Sequence, residues 1–177
     1  MIGLETYQRG LLDLLKERGP APADPYLRRV ADSRELAMLR DIAMWWRVFQ
    51  LEAQCRLTAR LLRRMGCFDE SALSYFNGNN TSPFVEELSR DFLRYLFNHP
   101  DPLVRSTSHF EYALSQVLGS SAESFEILWD RNPDSVFLSL DRGTELPPAE
   151  VEYAYLMLVS RSIPDRISCT RRPAEID

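Results

Sequence analysis

From Leu4 to Val117 the apolar side chains recur every three or four residues, the spacing that lines one face of a helix. Beyond Gly119 they gather into short runs rich in β-branched and aromatic residues. Leu4, Tyr7, Leu11, Leu14 and Leu15 predict a first helix stopped at Gly19 by the proline-rich "GPAPADP". Asp24-Pro25 and Ser33 read as helix-opening devices, and a long helical segment is expected from there to Gly66. Its predicted core stripe is Leu36, Leu39, Ala43, Trp46, Phe49, Ala53, Leu57 and Leu61. A short helix around Ala72 to Phe76 leads into the turn-forming "NGNNTS". Ser82-Pro83 then opens a helix with Phe84, Leu88, Phe92, Tyr95 and Leu96 on its inner face. Asp101-Pro102 repeats that device and starts a helix through Phe110, Leu114 and Val117.

After Gly119 four strands are expected: "SFEILWD", "SVFLSLDRG", "EYAYLMLVSR" and "RISCTRR", with "RNPDS" and "SIPD" as turns. The third run also fits a helix opened by "LPPAE", and strand is the preferred reading. The expected fold class is therefore α+β, an N-terminal helical body followed by a small C-terminal antiparallel β-sheet. The expected domains are 1–119, helical, and 120–177, a small sheet that is either winged-helix-like or peptide-binding.

Composition changes this picture little. The chain has 177 residues, 45% apolar and 27% charged, enough for one domain with a sizeable core. No apolar run approaches the roughly 20 residues of a membrane span, and the charged N-terminus does not resemble a signal peptide. Cys55, Cys67 and Cys169 form no CxxC pair and read as free thiols, so the cytoplasm is the expected compartment. Charge says more. Residues 1–66 hold 12 Lys and Arg against 8 Asp and Glu, and residues 67–177 hold 9 against 18. An acidic chain of this kind argues against a nucleic-acid partner and favours a basic peptide or protein.

The motifs that carry catalytic chemistry are missing from the sequence. The chain has no HxxxH, HExxH or CxxC for zinc, no GxSxG elbow, and no GxGxxG or GxxxxGK[ST] phosphate cradle. Its two histidines, His99 and His109, are ten residues apart. His99 and Asp101 in "NHPDP" suggest a dyad, but each precedes a proline, and a helix stop followed by an N-cap accounts for both. No catalytic residue, no metal ligand and no cofactor is expected on this chain. Two features suggest contacts instead. Adjacent Trp45 and Trp46 lie about 100° apart on a helix, so one ring can face the core and the other a partner, unless both pack inside. Arg56, Arg60, Arg63 and Arg64 share one side of the same expected helix, a solvated face or a partner contact. An unpaired strand edge of the terminal sheet is a further docking surface, for an extended peptide.

The order of "PF", "DFL", "HPDP" and "FEYAL" in "SPFVEELSRDFLRYLFNHPDPLVRSTSHFEYALSQV" resembles the MbnC-type partner proteins of methanobactin biosynthesis. More distantly it resembles the HvfC-type partners of iron-dependent peptide-modifying enzymes. The layout of helices first, then "FEILWD", "VFLSLDRG" and "YLMLVSR", agrees over most of the chain. The resemblance implies a non-catalytic subunit in a heterodimer with an MbnB-type TIM-barrel multi-iron oxygenase. That partner holds the iron and uses dioxygen to convert cysteines of a ribosomal precursor peptide into oxazolone and thioamide groups, toward a copper chelator. The small subunit is expected to help recruit the precursor's leader, which tends to be basic in this group. The strand pattern nominates Ile127, Trp129, Val136, Leu138, Tyr153 and Tyr155 for peptide contact, and the helical tryptophans and arginines Trp45, Trp46, Arg56, Arg60 and Arg63 are the candidates for the partner interface. The competing expectation is a stand-alone regulatory or DNA-binding module whose terminal hairpin imitates a winged helix.

Overall fold

A computed structural model describes residues 3–16, 22–79, 81–119 and 124–174, and among them places eight α-helices and a three-stranded antiparallel sheet. The protein is α+β, with helices predominating and two of the three strands closing the chain. Its contacts group into two compact units, Met1–Phe49 and Gln50–Asp177. The sequence-based boundary at Gly119 falls inside the second unit.

The first unit contains α1 (Leu4–Leu15), α2 (Pro25–Ala31) and most of α3 (Arg34–Gln54). The expected stop of α1 at Gly19 lies outside the described residues. Asp24 opens α2 by accepting from the N–H groups of Tyr26 and Leu27 at 2.9 and 3.1 Å, with Pro25 in the first turn. Ser33 Oγ accepts from the N–H of Leu36 at 3.1 Å, as its sequence position predicts for α3. Gly10 lets α1 approach Leu27 closely, since a Cβ there would lie 2.6 Å from the Leu27 Cδ1.

The expected single helix to Gly66 is two helices. Cys55, at φ −96° and ψ 57°, leaves the helical region, and α4 (Arg56–Arg64) starts anew. Cys55 supplies no side-chain cap to α4, but the Glu111 carboxylate accepts from the N–H groups of Leu57 and Thr58 at 3.1 and 3.0 Å. A residue 54 positions away in sequence thus closes the helix end.

Three further helices of the second unit precede the sheet: α5 (Phe68–Gly78), α6 (Val85–Tyr95) and α7 (Pro102–Leu118). Asp101 Oδ1 caps α7 through the N–H groups of Leu103 and Val104, and His99 Nδ1 accepts from the N–H of Asp101 at 3.1 Å. The pair is helix punctuation. α7 packs against α4, α6 and the sheet, so its buried Leu103, Val104, Phe110, Ala113 and Val117 join both layers. Phe68 and Phe92 are fully buried and meet edge to face, each contributing about 1.5–3 kcal/mol by withdrawal from water. Phe84, expected on the inner face of α6, is 65% exposed just before that helix begins.

The sheet is ordered β1 (Ser124–Trp129), β2 (Tyr153–Ser160), β3 (Ile167–Pro173), antiparallel throughout. The run "SVFLSLDRG" is not a strand: α8 spans Pro133–Arg142. Asn132 Oδ1 accepts from the N–H groups of Asp134 and Ser135, Pro133 occupies the first turn, and Gly143 ends the helix at φ 69°. Pro133, Val136, Ser139 and Leu140, three or four apart, are its buried side, and this spacing outweighs the alternation also present in the sequence. Phe137 of α8 and Phe110 of α7 meet the buried Trp129 of β1 edge-on, tying three elements into one core.

Candidate functional site

The register of the sheet decides which edge is open. The N–H of Ala174 donates to the Glu152 carbonyl at 2.9 Å, extending the β2–β3 ladder, so Arg172, Thr170 and Ser168 turn their main-chain groups toward β2. Cys169 and Arg171 therefore direct theirs away from the sheet. At the opposite edge the Leu128 carbonyl of β1 accepts from Ser106 Oγ at 2.6 Å, so α7 closes that side. β3 carries no such cover among the described residues, and all of it except Ile167 is exposed. Pro173 lacks an N–H, which limits pairing at its end of the strand.

Beside this edge four side chains form a linked cluster. The Arg171 guanidinium lies 3.7 Å from the centre of the Tyr153 ring and 3.0 Å from Glu150 Oε2. Tyr155 donates its hydroxyl to Glu150 Oε1 at 2.7 Å, which raises its pKa above the ordinary tyrosine value. Two of the six nominated peptide residues, half-buried Tyr153 and buried Tyr155, are thus brought together, of which Tyr153 is the one that offers surface. The other four are not: Ile127, Trp129 and Val136 are buried in the core, and Leu138 sits on α8, 48% exposed. The first three support the sheet from inside and offer no surface to a ligand. The acidic character of the C-terminal half also fails to extend to β3, whose only charged residues are Arg171 and Arg172.

The aromatic feature of α3 is more open than either sequence alternative. Trp45 and Trp46 are both outside the core, 63% and 50% exposed, and each stacks on Phe49 at 5.8 and 5.5 Å between ring centres. Met38, Leu39 and Ile42 continue the exposed apolar stripe at helical spacing. Such a contiguous patch exceeds what isolated surface apolar residues need explaining.

The arginines belong to α4, a different helix. Arg63 takes Glu52 in a two-pronged contact, Nε to Oε1 at 3.2 Å and Nη2 to Oε2 at 3.0 Å, and reaches Asp69 at 2.6 Å. Arg60 lies 3.6 Å from Asp141, and Arg64 donates to the Ser139 carbonyl at 3.3 Å. Arg56 has no side-chain partner among the described residues. α8 brings Asp141 and Arg142 beside these arginines, a proximity that sequence alternation hides because the region reads as a strand.

The histidines remain apart in role. His99 serves the α7 cap, while half-buried His109 lies edge-on to Phe97, where burial lowers its pKa. Among the described residues no three His, Cys, Asp or Glu side chains converge on a metal position, and no helix is long and apolar enough to cross a membrane. No family model, curated protein or solved structure matches the chain.

Proposed function

We propose that the protein is a non-catalytic, cytoplasmic partner subunit of an iron-dependent peptide-modifying oxygenase, of the kind its resemblance to the MbnC-type proteins implies. In this reading the iron and the oxidation of cysteine to oxazolone and thioamide belong to a TIM-barrel subunit, and this chain recruits the precursor peptide. The observation that carries the reading is the β3 edge, uncovered among the described residues, where the N–H and C=O groups of Cys169 and Arg171 stand ready to pair with an extended segment. The exposed Trp45–Trp46–Phe49 face supplies a second surface, suited to the larger subunit. The edge carries arginines, so the peptide segment that pairs there has neutral or acidic residues opposite Arg172, and basic leader residues lie beyond it.

The test is a peptide titration by fluorescence anisotropy with the wild-type protein and Cys169→Pro. This substitution removes an outward N–H that the β2–β3 ladder does not use, so the fold tolerates it. Binding is expected to weaken about tenfold, the loss of one hydrogen bond together with the crowding of the ring, with the thermal midpoint preserved. Equal affinity of the two proteins for the precursor, or none in either, contradicts the reading.

A further inference from the structure

Between α4 and α8 runs an open groove of about 790 Å³, lined by Arg56, Arg60, Arg63, Arg64 and Arg142, with Glu52 and Asp141 as its carboxylates. Five guanidinium groups against the two lining carboxylates, with Asp69 pairing Arg63 from outside the lining, leave a surplus of two positive charges among the described residues, in a chain whose net charge is −5. Four of the arginines recur along one side of α4 from Arg56 to Arg64, a rise of about 12 Å. They are not equally engaged. Arg63 is held by Glu52 and Asp69, and Arg64 by a carbonyl. Arg56 and Arg142 have no ion pair or side-chain hydrogen bond among the described residues. The Arg60–Asp141 contact is long, 3.6 Å, and exposed on both sides, so solvent screening leaves it readily exchanged for an incoming group.

We propose that this groove docks a carboxylate-rich segment of another protein. The groove already shows the required chemistry, since the fork of Arg63 grips the Glu52 carboxylate through two parallel contacts. Arg56, Arg60 and Arg142 offer the same fork to glutamate or aspartate side chains of a visitor. A single-stranded nucleic acid fits less well. Among the described residues no aromatic side chain lines the groove to stack a base, and the acidic remainder of the chain repels a longer polyanion. This inference is independent of peptide pairing on β3, because it uses none of the residues of that edge.

The experiment follows fluorescein-labelled hexaglutamate by anisotropy, with labelled hexathymidylate in parallel, at about 20 and about 150 mM salt. The wild-type protein is compared with Arg56→Gln/Arg142→Gln, whose exposed substitutions leave the unfolding midpoint unchanged. Hexaglutamate is expected to bind at low salt, to weaken severalfold at the higher salt, and to lose at least about tenfold affinity in the double variant. Absence of hexaglutamate binding at low salt, undiminished binding by the double variant, or hexathymidylate binding as tightly as hexaglutamate overturns the proposal.

Discussion

Glu111 and Thr58 are joined across two helices: the Glu111 carboxylate on α7 accepts the Thr58 N–H at 3.0 Å and the neighbouring Leu57 N–H at 3.1 Å, capping α4 from outside. This contact holds α4, and hence its arginines, against α7. Glu111→Ala leaves two helix N–H groups without their acceptor and is expected to lower stability by about 2–4 kcal/mol, measured by urea denaturation.

The same carboxylate gives a pH signature. Burial raises its pKa above the ordinary glutamate value, while its hydrogen bonds from Thr58 and Leu57 act in the opposite direction and do not cancel that shift. A carboxyl group with a raised folded pKa binds more protons folded than unfolded. Its contribution is full below the unfolded value and is lost as pH rises through the folded one. Glu111→Gln has no such titration. The unfolding free energy of wild type minus that of Glu111→Gln is therefore expected to fall from about pH 4 toward neutrality, and a rise contradicts the assignment.

Trp45→Ala/Trp46→Ala removes two exposed rings that stack mainly on Phe49. The unfolding free energy is expected to change by less than about 1 kcal/mol, whereas affinity for the proposed barrel subunit falls by at least about tenfold, measured by calorimetry. A stability loss of core size, with unchanged affinity, contradicts the role of this face.

These tryptophans also show where sequence reasoning stops. The spacing of Leu39, Trp46 and Phe49 identifies an apolar helix face, but periodicity does not say whether the protein's own core or a partner covers it. The caps of α2, α3 and α7 were legible because Asp24, Ser33 and Asp101 act on N–H groups two or three residues away. The break at Cys55 was not, because its cap comes from Glu111, far along the chain. β2 and β3 were readable from composition, whereas the open edge follows only from their register.

α8 is the element that sequence alternation misplaced, and its two ends carry the explanation. Asn132→Ala removes the N-cap, and Gly143→Ala forces a side chain into the left-handed region at φ 69°. Each is expected to cost about 1 kcal/mol in chemical denaturation. A strand in this position would be indifferent to both changes.

Glu150 links Tyr155 to Arg171 beside the open edge. Its hydrogen bond is the first cause of the raised Tyr155 pKa, so Glu150→Gln is expected to move one tyrosine titration downward in an alkaline absorbance experiment. An unchanged titration curve contradicts this linkage.

The claim that a peptide pairs on β3 is tested most directly by amide hydrogen exchange at single-residue resolution, with and without the precursor peptide. The outward N–H groups of Cys169 and Arg171 are expected to exchange fast in the free protein and to slow at least about tenfold on peptide addition, while Thr170, already paired to β2, changes little. Protection of Cys169 and Arg171 that is the same with and without peptide would contradict the account.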